Sequence, residues 1–125
     1  MLSDDDTLAF LDHRPLFPGH SLLIPRQHFE TIWDLPEELI GSLFANARSL
    51  SAAIRTAMDA QGAFVAVNNV VSQSVPHLHV HIVPRNRKDG LRGFFWPRQK
   101  YEGEEHMRET AEAIRTAVLD LEASG

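Results

Sequence analysis

Apolar positions along the chain follow a strand-like period in four short segments. Each segment alternates or runs continuously apolar, and each is bounded by residues that favour turns. The first two segments flank a stretch with Pro15, Pro18 and Gly19, which predicts a hairpin turn. The four predicted strands cover residues 7–12, 21–25, 63–67 and 77–83.

Two further segments carry apolar residues at helical spacing. Asp34, followed three residues later by Glu37, has the pattern of a capping box and predicts the start of a long helix. We expect this helix to end near Gln61 and Gly62. Its apolar face comprises Leu39, Ile40, Leu43, Phe44, Ala47, Leu50, Ile54 and Met58. A C-terminal helix is predicted over residues 104–121, with an apolar face of Met107, Ala111, Ile114, Val118 and Leu121.

The order of these elements indicates the fold class. Two strands, a long helix, two more strands and a final helix are typical of an α+β protein with a mainly antiparallel sheet. One face of such a sheet can pack on a helix while the other holds a ligand. The chain has 125 residues, 43% of them apolar, and shows no repeat or linker. We therefore predict one domain over residues 1–125.

Composition excludes several classes of protein. No apolar run is long enough to span a membrane, and no signal peptide pattern begins the chain. Cysteine is absent, which excludes disulfides and thiolate metal sites and favours a cytoplasmic location. The formal net charge of −5 argues against general nucleic-acid binding. Six of the twelve Lys and Arg residues nevertheless lie within residues 85–100, where they form either an anion site or a solvated basic loop.

Three histidines alternate with apolar residues in the last predicted strand. Because strand side chains alternate between faces, His77, His79 and His81 are expected on one outward face and the intervening residues on the core. Two of the three could ligate a metal, with a further ligand from His20, His28 or Asp12. Alternatively, one imidazole attacks phosphorus and a neighbour acts as general acid.

The motif resembles that of the histidine-triad (HIT) family, in which three histidines alternate with apolar residues. The matching residues are His77-Leu78-His79-Val80-His81-Ile82-Val83. The resemblance extends upstream to Gln73-Ser74-Val75, Leu11-Asp12-His13-Arg14-Pro15, Pro18-Gly19-His20 and Ile24-Pro25-Arg26-Gln27-His28. It implies a HIT-like fold: an antiparallel sheet of about five strands, one long helix and a C-terminal helix, usually in a homodimer.

The resemblance also implies roles for individual residues. His79 is similar to the nucleophile that accepts a nucleoside monophosphate, His81 to the residue acting at the leaving group, and His77 to the member that orients the others. The substrate-binding positions are Asp12 on the ribose, Gln73 and Ser74 near the phosphates, Asn68 or Asn69 near phosphate or ribose, and His28, which only some branches share.

The implied activity is hydrolysis or transfer at the α-phosphate through a nucleotidyl-histidine. Substrates in such proteins include dinucleoside polyphosphates and nucleoside phosphoramidates, and a phosphorylase would use phosphate in place of water. No metal is required, and zinc is possible but not favoured. The alternative is a non-catalytic, dimeric interaction protein that binds nucleotide or zinc. One departure from the family is the loop at residues 68–73, which is short and has Ser72 at the usual glycine position.

Overall fold

The computed structural model describes residues 1–91 and 98–124. The chain forms two compact units, Met1–Gly90 and Leu91–Gly125, which are described separately. Each proposed site residue lies in the first unit. That the whole chain forms one domain remains a prediction.

A five-stranded antiparallel sheet organises the first unit and confirms the predicted α+β class. The strands are β1 (Leu2–Ser3), β2 (Thr7–Leu11), β3 (Ser21–Pro25), β4 (Gly62–Val67) and β5 (Val80–Arg85). Their order across the sheet is β1-β2-β3-β5-β4, and every neighbouring pair is antiparallel. The predicted hairpin is formed by β2 and β3, with Leu11 opposite Ser21. The two-residue β1 was not predicted by the apolar pattern, but with it the sheet has the about five strands that the resemblance implied.

The long helix α1 (Glu37–Ala57) begins later than Asp34. Asp34 does not cap it, because Thr31 and Asp34 cap each other around a short 3₁₀ helix, Ile32–Asp34. Pro36 keeps the preceding Leu35 in an extended conformation, so the helix cannot run through from Asp34. At its other end α1 stops before the predicted residues 61–62, because Asp59 adopts a left-handed backbone with φ 49°.

Strand β5 also starts later than predicted. Pairing with β3 and β4 begins at Val80, so His77 and His79 precede the strand and only His81 lies within it. The preceding loop is held instead by the Leu78 N–H, which donates to Phe29 O at 2.6 Å. Pro84 lies inside β5 rather than at its end. Proline is tolerated there because β3 pairs with β5 only as far as Ile82. Beyond Ile82, β5 therefore needs no main-chain N–H for pairing with β3.

The core lies between α1 and one face of the sheet. Helix α1 contributes Leu43, Ala47, Leu50 and Ile54, which recur at helical spacing. The sheet contributes Ala9, Leu23, Val80 and Ile82, and Leu78 joins them from the loop. The predicted inward face of the histidine segment is therefore confirmed. The opposite face of the sheet carries Phe10, Leu22, Ile24 and His81 and is left open for the site.

The second unit contains helix α2 (Glu104–Ser124), as predicted for the C-terminal segment. Its predicted apolar face, from Met107 to Leu121, is exposed. Within the described residues, no helix is both long enough and apolar enough to cross a membrane.

Candidate active site

A pocket of about 360 Å³ opens on the face of the sheet that α1 does not cover. Its lining combines apolar strand residues with titratable groups. The lining residues are Phe10, Asp12, His13, Leu22, Ile24, Ser74, Val75, His77, His79 and His81. Five of the predicted site residues therefore meet in one cavity, namely Asp12, Ser74, His77, His79 and His81.

His79 is held in a single orientation. Its Nδ1 lies 2.7 Å from the main-chain oxygen of His77. Because a carbonyl oxygen can only accept, Nδ1 carries the hydrogen, and the lone pair of the neutral ring is on Nε2. His79 lines the pocket on the side away from the core, as expected, but the residue is only 8% exposed, so the expectation of an exposed position is wrong. The result is a shielded ring whose free nitrogen is a potential nucleophile.

The His77 ring turns away from its neighbours in the triad. Its Nε2 donates to Pro25 O at 3.2 Å, which leaves Nδ1 as an acceptor. The exposed His28 completes this arrangement, because its Nδ1 lies 3.0 Å from Nδ1 of His77 and must donate the shared hydrogen. His77 therefore orients His79 through its main-chain carbonyl, while its side chain ties the loop to the end of β3.

This arrangement predicts a small effect for His77→Ala. The substitution keeps the carbonyl that accepts from His79, so we expect kcat to fall by less than about tenfold, below the range typical of acid–base groups. Steady-state kinetics of His77→Ala and His28→Ala, measured beside wild type, test this. A loss in His77→Ala as large as that caused by removing His79 would show that the His77 imidazole takes part in the chemistry.

His81 is paired with a fourth histidine, His20, which is 3% exposed. Nε2 of His20 lies 3.0 Å from Nδ1 of His81. The other ring nitrogen of His20 accepts the Leu16 N–H at 3.1 Å, so the hydrogen of neutral His20 must be on Nε2. His20 therefore donates to His81, and His81 in turn carries its hydrogen on Nε2, the nitrogen left free for the pocket.

Asp12 lies at the end of the hairpin beside this pair. Its Oδ2 is 3.7 Å from Nε2 of His20, and its Oδ1 accepts the Arg14 N–H at 2.9 Å. The Asp12 N–H donates to His20 O, which closes the turn between β2 and β3. The carboxylate is thus fixed at the rim of the pocket with capacity to accept further hydrogen bonds.

Burial lowers the pKa of both His20 and His81 below the ordinary value of 6.5. For His81, the neighbouring His79 and His20 lower the pKa further, while Asp12 opposes the shift. For His20, Asp12 partly offsets the effect of burial. Both rings are therefore neutral at pH 7, as the hydrogen-bond pattern requires.

These shifts predict that acid destabilises the fold. Between the lowered folded-state pKa values and 6.5, the unfolded chain binds more protons than the folded one, so stability falls as pH drops below about 6.5. Urea denaturation midpoints at about pH 7.5 and about pH 5.5 should show the loss. His20→Gln should reduce this pH dependence, whereas His106→Gln in α2 should retain it. Equal wild-type midpoints at the two pH values would contradict the prediction.

Asp12, His20 and His81 also form the one potential metal-ligand set among the described residues, with ligand atoms within 4.8 Å of one another. Two histidines and a carboxylate suit several divalent metals. The hydrogen bond from the Leu16 N–H to Nδ1 of His20 nevertheless argues against metal binding by these three residues. A metal on Nε2 of His20 would move the ring hydrogen to Nδ1, where it would face that amide donor.

Four of the predicted substrate-binding residues do not line the pocket: His28, Asn68, Asn69 and Gln73. Asn69 instead accepts the Ile32 N–H at 2.8 Å. Gln73 accepts the Val70 N–H at 3.0 Å and donates to Glu30 O. Asn69 and Gln73 thus tie the loop between β4 and β5 to the segment before α1, and Asn68 is exposed.

The basic segment after β5 is described only in part. Arg85 forms a two-contact ion pair with Asp89, at 2.6 and 3.1 Å, and does not line the pocket. Arg92, one of the six basic residues that the sequence suggested for an anion site, lies outside the described residues.

The sequence suggested His20 only as a possible metal ligand and did not predict its pairing with His81. It also did not predict the apolar wall of Phe10, Leu22 and Ile24. Strand pairing carries the missing information: Leu11 lies opposite Ser21, and Leu22 lies opposite His81. The pairing of Leu22 with His81 is the one that places β3 beside the histidine strand. Leu22 and His81 are far apart in the sequence.

The chain resembles known proteins along most of its length. Residues 1–88 match the HIT domain family. An uncharacterized HIT-like protein of Saccharolobus solfataricus is 35% identical over 121 residues, covering 94% of this chain and 84% of that protein. The crystal structure of a HIT family protein of Bacillus subtilis superimposes with a TM-score of 0.83 at 30% identity, covering 93% and 84% of the two chains.

Some relatives carry the names of nucleotide hydrolases. An adenylylsulfatase of Arabidopsis thaliana is 34% identical over 93 residues, which is 73% of this chain but only 47% of that enzyme. Others are named asymmetrical bis(5′-nucleosyl)-tetraphosphatase and adenosine 5′-monophosphoramidase. By the family match, the shared fold and these relatives, the chain belongs to the histidine-triad (HIT) family.

Proposed function

We propose that this protein is a nucleotide hydrolase or transferase that attacks the α-phosphate with His79 and forms a nucleotidyl-histidine. The observation that carries the proposal is the contact between Nδ1 of His79 and the His77 carbonyl, which leaves Nε2 as the nucleophilic nitrogen. The named activities of the enzyme relatives support the substrate class, since each acts on a nucleotide.

The reaction has two steps. Nε2 of His79 bonds to the α-phosphorus, and the bond to the leaving group breaks with its electron pair on the leaving atom. The Nε2–H of His81 donates a hydrogen bond that stabilises the charge developing on that atom, and a water molecule gives that atom one proton as the bond breaks. The hydroxide left from that water then attacks phosphorus and releases the nucleoside monophosphate with free His79.

The remaining pocket residues bind and position the substrate in this proposal. Asp12 accepts hydrogen bonds from the ribose hydroxyls, and the Ser74 hydroxyl donates to phosphate oxygens. Asn69, Gln73 and His28 support the site by holding the loops that carry the triad. We assign no metal to the reaction, because phosphorus is activated by hydrogen bonds and the nucleophile is an imidazole. A homodimer and a cytoplasmic location remain proposals that rest on the resemblance and on composition.

Intact-protein mass spectrometry tests the function. Wild-type protein mixed with diadenosine tetraphosphate or adenosine 5′-phosphoramidate should show a transient gain of one AMP, mapped to His79, together with AMP release. Adding inorganic phosphate separates a phosphorylase, which would form ADP, from a hydrolase. Nucleotide binding with neither adduct nor AMP would overturn the enzymatic proposal and favour a nucleotide-binding interaction protein.

A further inference from the structure

Helix α2 carries an apolar stripe that is open to solvent. The stripe, called the α2 stripe below, consists of Met107, Ala111, Ile114, Val118 and Leu121, and its four larger side chains are 46–73% exposed. Over its whole described length α2 has no buried residue, whereas α1, which is also 21 residues long, buries four. A helix gains most of its stability by packing its apolar face, so the α2 stripe requires a partner surface.

The spacing of the α2 stripe indicates that its partner is another helix. The five residues follow one another at intervals of four, three, four and three positions. This alternation repeats every seven residues and is the heptad pattern by which two helices interlock their side chains. A helix that packs on a sheet or on a broad core has a wider apolar face. We therefore expect the partner to be a helix with a matching stripe.

The charges of α2 leave the borders of the stripe suited to a second copy of the same helix. One border carries three charged residues at intervals of seven positions, Arg108, Arg115 and Glu122. The other border carries three uncharged residues at the same interval, Thr110, Ala117 and Ser124. Most acidic residues lie on the side of the helix away from the stripe, namely Glu105, Glu109, Glu112 and Asp120. Two acidic helices can therefore approach each other along this stripe.

The charged border favours an antiparallel pair of two copies. Antiparallel packing with Ile114 opposite Val118 of the partner subunit brings Arg108 beside Glu122 of the partner subunit. The same ion pair forms twice, because a pair of identical antiparallel helices is symmetric. Arg108 also pairs with Glu105 of its own helix, but a guanidinium has five N–H donors and can serve both carboxylates.

Side-chain sizes favour the same arrangement. Antiparallel packing places the small Ala111 opposite the large Leu121 of the partner subunit, so the layers between the helices are evenly filled. Parallel packing would place Ala111 against Ala111 of the partner subunit and leave a gap there. At the centre of the antiparallel pair the two Arg115 side chains come near each other, and each is neutralised by Glu112 of its own helix.

We propose that α2 is a dimerisation element, and that the α2 helices of two copies of this chain pack antiparallel along the α2 stripe. This arrangement specifies a surface, an orientation and a register, whereas the homodimer expected from the family resemblance specifies none of them. The contact involves no residue of the pocket, so it stands or falls separately from the proposed function.

Cysteine cross-linking of the full-length chain tests the arrangement without background, because the sequence contains no cysteine. Ile114→Cys and Val118→Cys are prepared separately, and one of them carries a tag that changes its mass. After mixing and mild oxidation we expect a disulfide between the two variants. Each variant alone should cross-link about tenfold more slowly, because equal residues lie about 6 Å apart along the helix axis. Ala113→Cys, on the side of α2 away from the stripe, is the matched control and should not cross-link with either variant.

Reversal of one border charge tests the register. Glu122→Arg would place an arginine beside Arg108 of the partner subunit at both ends of the pair. The dissociation constant of the dimer, measured by sedimentation equilibrium, should therefore rise about tenfold. The double variant Arg108→Glu/Glu122→Arg restores opposite charges and has the net charge of wild type, so it should recover the wild-type dissociation constant.

Three results would overturn the inference. Disulfides that form as readily in each single variant as in the mixture would indicate a parallel pair. No disulfide in the mixture, or an unchanged dissociation constant in Glu122→Arg, would mean that the α2 stripe packs on a different surface. Wild-type protein that sediments as a monomer would show that the stripe does not join two copies.

Discussion

His79→Ala is expected to lower kcat by about 10⁴-fold or more, because it removes the nucleophile of the proposed reaction. No AMP adduct should form on the variant in intact-protein mass spectra. His79 is nearly buried and donates one hydrogen bond, so the variant should also lose about 1 kcal/mol of stability. Kinetics are therefore measured at a temperature where circular dichroism shows the variant folded.

His106→Ala is the matched control, since His106 is a histidine of helix α2 in the second unit. It should retain wild-type turnover and adduct formation. Wild-type turnover in His79→Ala would reject His79 as the nucleophile. An AMP adduct mapped to another histidine in that variant would move the assignment to that residue.

His20→Leu is expected to lower kcat by about 10²-fold with little change in KM, the scale of a lost hydrogen-bond donor to developing charge. His20 donates to Nδ1 of His81 and so keeps the hydrogen of His81 on Nε2. Without that donor, His81 can adopt the other tautomer, in which Nε2 has no hydrogen to donate to the leaving atom. His20→Gln keeps an N–H donor at a similar distance along the side chain and should recover much of the activity.

Two substrates with different leaving groups distinguish this positioning role of His20 from a purely structural one. An adenosine 5′-phosphate 4-nitrophenyl ester releases a group that leaves without protonation, so His20→Leu should cleave it at nearly the wild-type rate. The phosphoramidates, whose amines must be protonated, should show the full loss. Equal losses on both substrates would mean that His20 acts through folding or pocket shape instead of through the proton on His81.

Much of the fold follows from local sequence patterns. Strand β3 has the predicted bounds, and β2 and β4 each differ from prediction by one residue at one end. The α1 face is confirmed at Leu43, Ala47, Leu50 and Ile54, because burial at helical spacing is a property of neighbouring residues. Ile40 and Met58 of the predicted face are exposed instead. The errors have two causes. The nearby Thr31 takes Asp34 away from α1, and pairing with the distant β3 and β4 sets the start of β5.

The loop between β4 and β5 shows the same division. The family resemblance marks residues 68–73 as a departure, with Ser72 at the usual glycine position. The backbone at Ser72 is indeed left-handed, as a glycine position would require, and Val70 shares this conformation. Which side chains would face the pocket could not be predicted, because Asn69 and Gln73 are used by contacts to residues about forty positions earlier.

By itself the sequence determined the α+β class, the HIT motif and the inward face of Leu78, Val80 and Ile82, since each depends on residues close together along the chain. Only the tertiary structure decided which ring nitrogen of His79 and of His81 carries the hydrogen. The His77 carbonyl sets the tautomer of His79, and the Leu16 amide, acting through His20, sets that of His81. A ring nitrogen's proton depends on the partner that the fold brings within about 3 Å, and for His81 that partner lies 61 residues away in the chain.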